Sequence, residues 1–512
     1  MKAVHDTIII GSGIGGLACA AALAKLGHKV LVLEQHHIAG GLTQTFSRKG
    51  FSWDVGIHYL GEMGPGDQGR RILDWLSDGV IKMAPIDPVY DIAHFPGGFE
   101  IAYESPAGSL RRNLRESFRE SSGEIDAFFS TLKDAARDST ALFVLHSLPR
   151  PLGWLYSLRA KGKIRKWWGR TTDAVLRETV HDERLRSVLT VQWGDHGGRP
   201  KEGSFAMHAM IMNHFMDGAY YPVGGARVFA ESLVPIITDG GGEVRVKSLV
   251  KEILVAHGEA VGVRLDDATE YHAERVVSAI GARDTVRRLL PQYVGNLAWG
   301  REILSIKPSY SHICLYLGFE GDIRAAGATA ANHWFYETWD TDAALWSDPG
   351  ATEAPALFVS FPSLKDPSHA AGENQKHTGE VATWVAWEKF NKWKESSYGR
   401  RPDDYKEFKE RIGARMLEQF KRHFPAIAPL ITYYEVSTPL SMMHYVWREQ
   451  GSSYGLETTP KRFLSRSLGM KTPIKRLYLA GQDVVTPGIT GAMMGGILAA
   501  AAIDRRIFRH IR

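Results

Sequence analysis

Gly11, Gly13 and Gly16 form a Gly-x-Gly-x-x-Gly run, and Glu34 follows 18 residues after the last of them. That combination can bind a dinucleotide. The glycines let backbone amides approach a pyrophosphate, and the carboxylate can accept hydrogen bonds from the adenosine ribose hydroxyls. An acid there also repels a 2′-phosphate. Other residues could carry protons: His58 and Tyr59 after the Asp54-Val55-Gly56 turn, His444 and Tyr445, and the Trp193-Gly194-Asp195-His196 segment. A histidine in any of these settings also reads as an ordinary structural residue.

The glycines need a tight turn between a strand and a helix, and their flanks provide it. Thr7 to Ile10 reads as a buried strand, Gly11-Ser12-Gly13-Ile14-Gly15-Gly16 as the turn, and the alanine-rich stretch to Gly27 as a helix. Lys29 to Leu33 then forms a second strand that ends in Glu34 and Gln35. In this unit Gly11 permits the turn, Gly13 admits the phosphates to the helix N-terminus, and Gly16 lets helix and strand pack closely. The apolar run from Thr7 to Leu26 imitates a secretory signal, but Asp6 stands where such a signal carries positive charge. The longest other apolar stretch, Thr490 to Ile503, has 14 residues against the roughly 18 to 20 that span a bilayer.

A chain of 512 residues is long enough for more than one folding unit, and its 44% hydrophobic and 23% charged residues are those of a soluble globular protein. Glycine is in excess, 52 residues against the usual level of about 7%. With 62 basic and 57 acidic residues the charge is too balanced to propose a nucleic-acid partner. The only cysteines, Cys19 and Cys314, suit a reducing compartment and offer no zinc or iron–sulfur cluster, so no metal site is expected.

Two segments distinguish FAD from a nicotinamide nucleotide. Ile38-Ala39-Gly40-Gly41-Leu42-Thr43 follows the second strand. Far along the chain, Arg476 to Leu479 reads as a strand leading through Ala480-Gly481-Gln482-Asp483 to Gly488-Ile489-Thr490-Gly491 and a small-residue helix. With the Gly40 to Phe46 and Phe51 to Gly61 runs, this set resembles the flavoprotein group of retinol saturases, carotenoid isomerases, bacterial phytoene desaturases and amine oxidases. The likeness to the retinol saturase and carotenoid isomerase branch is the greatest, and it extends over essentially the whole chain.

The resemblance implies an α/β fold: a Rossmann-like FAD-binding domain of the glutathione-reductase/amine-oxidase type, with an inserted mixed-sheet substrate domain and a helical subdomain. The FAD-binding domain would be discontinuous, residues 1–75, 220–290 and 465–512. Residues 76–219 would be mainly helical and face substrate or membrane, and 291–464 would carry the substrate sheet. FAD would be held non-covalently, by Gly11, Gly13, Gly16 and Glu34 at its ADP half, with Ser12, Ile14, Gly15 and Gln35 beside them. Gly40, Gly41, Leu42 and Gly56 would pass close to pyrophosphate and flavin, and Val250 would offer its backbone to adenine. Ala279, Gly481, Asp483, Ile489 and Thr490 would complete the site. Leu42 is a departure, since many relatives carry arginine there. A hairpin is expected from Ile253 to Leu265 with its turn at His257-Gly258.

The implied activity is oxidoreduction at carbon–carbon bonds of a long apolar substrate (a retinoid, carotenoid or fatty acyl chain) by saturation, desaturation or isomerisation. His58 and Tyr59 are the catalytic candidates by analogy, although related desaturases work with little beyond flavin and a hydrophobic tunnel. One alternative is amine oxidation, with Trp334, Tyr336, Tyr433 and Tyr434 as an aromatic cage; another is a lipid carrier without chemistry. No dedicated nicotinamide domain is expected.

Residues 139–172 contain no acid but carry Arg150, Arg159, Lys161, Lys163, Arg165, Lys166 and Arg170 among Trp154, Tyr156, Trp167 and Trp168, next to Leu142 to Leu145. This composition suits an anionic bilayer surface, and equally a solvated basic face over a helical core. The expected location is cytoplasmic, with a peripheral membrane contact through this stretch. Oligomeric state is left open.

Overall fold

The computed structural model describes residues 5–147 and 150–511. Strand His5–Ile10 is apolar because it is enclosed on both sides, with Glu270–Ser278 parallel to it on one flank and Val30–Leu33 on the other. Glu243–Arg245 adds beyond Val30–Leu33, and Leu477–Leu479 runs parallel to the far side of Glu270–Ser278. The hairpin Val250–Ala256 and Glu259–Leu265 completes this seven-stranded sheet, and its turn falls at His257 (φ 49°) and Gly258 (φ 76°). The sheet thus draws strands from three distant parts of the sequence.

Helix Ile14–Ala24 is buried along its whole length, so it shows alanine and glycine all round in place of a polar face. Its partner is the C-terminal α-helix Ile489–Ile503. Glycines let the two backbones nearly touch. A Cβ on Gly496 would lie 2.1 Å from the Gly15 carbonyl oxygen, and one on Gly15 would lie 2.7 Å from Gly481 Cα. No side chain fits at such a crossing.

A second seven-stranded sheet has the order Ile431–Ser437, Ser311–Glu320, Lys376–Val385, Ala356–Ser360, Asn332–Tyr336, Val89–Phe95 and Phe99–Glu104. It is antiparallel except between Asn332–Tyr336 and Val89–Phe95, hence mixed as expected. Its last two strands come from the stretch read as mainly helical. They are joined by Pro96-Gly97-Gly98, whose glycines have φ of 81° and 75°. Helix Asp403–His423 packs its Tyr405, Phe408, Ile412, Met416 and Phe420 face on this sheet. The helices Ala107–Ser117, Ser122–Ser147, Arg150–Trp167 and Phe205–Phe215 supply most of the remaining mass.

In the basic stretch, Arg150 and Trp154 lie outside the described side chains. Among its described residues the aromatic expectation is corrected. Trp168 is fully buried against Phe463, with ring centroids 4.3 Å apart, and Trp167 is buried beside Phe205. Large flat side chains gain more from the core than from a surface. The exposed apolar residues of this helix are Leu152, Leu155 and Leu158, at 55%, 58% and 62%.

Candidate functional site

A cleft opens where the parallel strands of the first sheet end, which is where open α/β sheets hold their ligands. It consists of two adjoining cavities that share Gly13, Leu42, Ala279, Ile280 and Arg448. Gly11, Glu34, Gln35, Gly41 and Val250 line the outer one. Ile14, Gly15, Gly56, Gly481, Asp483 and Ile489 line the inner one. The remaining residues expected at the cofactor act from behind the wall. Gly16 packs against the turn, where a Cβ would sit 2.0 Å from the Gly11 carbonyl oxygen. Ser12 is fully buried and receives the Gly40 amide on both its carbonyl and hydroxyl oxygens at 3.1 Å.

Glu34 accepts hydrogen bonds from the Ser12 amide (2.8 Å) and hydroxyl (2.6 Å) on one carboxylate oxygen and from the His36 amide (2.8 Å) on the other. The second oxygen keeps a lone pair for a ribose hydroxyl. Asp483 accepts from the amides of Ala282 (2.8 Å) and Leu456 (3.2 Å), so one carboxylate ties the end of the sheet to two other segments. The cleft fits a dinucleotide on two structural grounds. A Cβ at Gly13 would meet nothing within 4 Å, leaving its backbone bare toward the cavity. Thr490, in the first turn of the C-terminal helix, has a buried hydroxyl without a hydrogen-bond partner among the described residues.

Residues 447–456 form a wall that the sequence reading missed. Arg448, Ser452, Ser453, Tyr454, Gly455 and Leu456 all line the inner cavity. Gly451 and Gly455, with φ of 62° and 67°, were the available signal, because a Cβ on Gly455 would lie 2.3 Å from Asp483 Oδ1.

A family model described as flavin containing amine oxidoreductase matches residues 14–504. The chain belongs to that family. Within the reach of this flavin-family chain, all-trans-retinol 13,14-reductase of Danio rerio is 33% identical over 522 residues, covering 98% of this chain and 86% of that protein. Chloroplastic prolycopene isomerase of Arabidopsis thaliana is 26% identical over 525 residues, covering 98% and 83%. Among solved structures, cyclohexylamine oxidase from Brevibacterium oxydans shares the fold at a TM-score of 0.62 and 18% identity, covering 99% and 100%.

Next to the inner cavity the flavin-family chain buries a group of acids and bases. His58 lies two residues beyond the cavity-lining Gly56, and its Nδ1 is 2.9 Å from Glu380 Oε2. Burial keeps His58 neutral, pushing its pKa down to about 3, and the Lys365 ammonium adds to the effect. Burial raises Glu380 to about 8, against the pull of Lys365 and the Asp54 backbone amide. Lys365 donates to the His58 carbonyl and the Ser360 hydroxyl, each at 2.8 Å, and to Asn332 Oδ1. Burial lowers it to about 7, while Asp91, Glu380 and Asp195 draw it back up.

Tyr59 is paired with a different group. Its hydroxyl lies 2.7 Å from Asp195 and 3.0 Å from Asp91, and its ring stacks on Phe215. Asp91 also accepts from Gln192 and Asn332, and burial raises it to about 6. The structure therefore joins Tyr59 to Asp195 of the Trp193 to His196 segment. His196 is instead buried beside His208, its Nε2 3.3 Å from His208 Nδ1. Tyr445 lines the outer cavity and His444 is an exposed ring stacked on Tyr398, so this pair sits at the outer cavity, away from the acids and bases. The expected amine cage does not assemble. Trp334 and Tyr336 are buried in the main core, Tyr433 packs against Phe51 and Trp53, and Tyr434 is 50% exposed.

Proposed function

We propose that this protein is an FAD-dependent oxidoreductase acting on carbon–carbon double bonds of a long apolar polyene such as a retinoid or carotenoid. The observation that carries this reading is the abutment of a cleft of two joined cavities, entered by the glycine turn, on a buried store of exchangeable protons. The likeness to a retinol reductase and a prolycopene isomerase over nearly the whole chain supports the substrate class. Bound FAD would supply hydride transfer at its ring nitrogen. Glu34 and the glycine turn would hold its ADP half, Val250 would meet adenine through its backbone, and the first turn of helix Ile489–Ile503 would face the ring end. Non-covalent attachment agrees with two buried cysteines, neither of which lines the cleft.

Saturating a double bond needs a proton on the carbon that does not receive hydride. His58 keeps 26% side-chain exposure and is neutral, and its Nδ1 is 2.9 Å from Glu380 Oε2 but outside hydrogen-bond geometry, so a small rotation of either side chain would let Nδ1 take a proton from protonated Glu380 while Nε2 passes one on. Glu380, held protonated up to about pH 8, is the store. Tyr59, fixed between two carboxyl groups, then has the supporting task of ordering Asp91 and Asp195. Amine oxidation, the reading favoured by structural likeness alone, lacks the aromatic cage it would use.

The test is anaerobic photoreduction of the purified flavoprotein followed by mixing with retinoids, carotenoids, unsaturated fatty acids and imines. Reoxidation by a polyene is expected; reoxidation by imines or oxygen alone would reject the proposal.

Peripheral membrane contact belongs to the same reading, since a polyene partitions into lipid. Leu152, Leu155 and Leu158 recur every three residues on an exposed face, with Arg159, Lys161, Lys163 and Lys166 exposed beside them. Apolar side chains flanked by cations are how a surface helix settles into an anionic interface. Replacing Leu155 and Leu158 with serine should cut flotation on anionic vesicles by about tenfold or more, since each leucine contributes roughly 1.5 kcal/mol or more when buried in lipid. Undiminished flotation would leave this helix a solvated face. Among the described residues no helix is long and apolar enough to cross a membrane.

A further inference from the structure

Arg448 stands at the join of the two cavities, lining both together with Gly13 and Leu42. A cation with restricted access to water needs an anion nearby. The surrounding arginines have theirs: Arg283 and Arg287 pair with Glu449, and Arg288 pairs with Asp284. Arg448 has none within ion-pair distance among the described residues. Its guanidinium donates from Nη1 to the Ser453 carbonyl at 2.9 Å, a dipole without net charge, and Asp483 and Asp284 act on it only through space.

The backbone around it is held in a costly shape. Trp447 and Gln450, neither a glycine, have φ of 57° and 58°. Such left-handed residues persist where surrounding contacts impose them. Here Arg288 stacks over the Trp447 ring at 4.6 Å and donates to the Trp447 carbonyl at 2.7 Å. Facing this loop, the Gly40-Gly41-Leu42 turn brings backbone and an apolar side chain to the join, but no charge. The N-terminus of helix Ile14–Ala24 adds only about half a positive charge. A diphosphate carries more charge than that, and Glu34 and Asp483 stand on the same walls.

We propose that Arg448 is the diphosphate-binding cation of this protein, its guanidinium supplying the charge that the Gly40-Gly41-Leu42 turn lacks. The assignment rests on the FAD reading above and adds the residue that answers the charge between its two halves. Charge-assisted pairing of guanidinium with phosphate is strong and directional, which suits a point where two halves of one ligand must be registered.

The test is titration of the deflavinated protein with FAD, ADP and AMP, comparing wild type with Arg448→Gln, Arg448→Lys and Arg448→Gln carrying Leu42→Arg. Arg448→Gln should weaken FAD binding by about 10- to 100-fold and erode the preference for ADP over AMP. Leu42→Arg should restore part of both. An Arg448→Gln protein that binds FAD within about twofold of wild type, with its ADP preference intact, overturns the assignment. Should that variant fail to fold, Arg448→Met, which has similar length and no charge, carries the test, and unchanged FAD affinity with an unchanged ADP preference overturns the proposal there as well; Arg448→Lys, which keeps the charge, should retain part of both. A wild type that prefers ADP to AMP yet takes up no flavin rejects the FAD reading and leaves Arg448 as the diphosphate ligand.

Discussion

Glu380→Gln is expected to lower the rate of polyene reduction by reduced enzyme by about 10²-fold or more, the scale of a lost general acid. The carboxyl is 1% exposed and its pKa is pushed up to about 8, so the wild type carries the needed proton through neutral pH. The sign follows directly. Wild-type activity that depends on protonated Glu380 is full at pH 6 to 7 and falls as pH rises through about 8, whereas the glutamine variant lacks that ionisation and its residual activity loses the decline near pH 8. Lys365 must be considered alongside, since it loses its own proton near pH 7 and then no longer favours ionisation of Glu380. The measurement is rapid mixing of photoreduced enzyme with polyene from pH 6 to 9.5. Flavin content and dithionite reduction should match wild type, which separates proton supply from cofactor loss. A variant with the wild-type rate and the wild-type alkaline decline would remove Glu380 from the reaction.

Gly496→Ala should abolish flavin retention. The added methyl would lie 2.1 Å from the Gly15 carbonyl oxygen and 3.1 Å from the Cys19 amide nitrogen, both backbone atoms inside a helix that cannot bend aside. Relief requires the helices Ile14–Ala24 and Ile489–Ile503 to separate, and the N-terminal turns of both line the cleft. Overpacking of this kind costs about 3 kcal/mol or more, a large share of a domain's roughly 5–15 kcal/mol. Gly123→Ala is the matched control, because a Cβ there meets nothing within 4 Å in another helix. Thermal midpoint and bound flavin per chain should both fall for the first variant and hold for the second. A Gly496→Ala protein that stays yellow and melts with wild type would show that the crossing can relax.

What the sequence made legible was local. The strand, turn and helix of residues 7–34, the His257-Gly258 hairpin and the C-terminal helix each announce themselves by period and glycine position within a few dozen residues. Glu380 and Lys365 did not, because their significance arises only from pairing. The Glu380 carboxylate of strand Lys376–Val385 meets His58, Lys365 and Asp54, all from distant parts of the sequence or another element. Tyr59 and Asp195 are 136 residues apart, and nothing in either neighbourhood refers to the other. The tryptophans of the basic stretch misled for the same reason: their partners Phe463 and Phe205 lie far away in sequence, whereas the leucines that remain outside look like core residues.

Strand Leu477–Leu479 pairs with Glu270–Ser278, and the helix after it packs on the one that follows Ile10. Between Ile10 and Leu477 a ribosome must add 467 residues, about 25 to 90 s of synthesis at bacterial-to-eukaryotic elongation rates. Throughout that interval the nascent chain holds an alanine-rich, wholly apolar helix with its covering partner unmade. Cofactor capture in this molecule therefore waits on residues 477–503, and until they are made the first helix lacks the cover of its last partner.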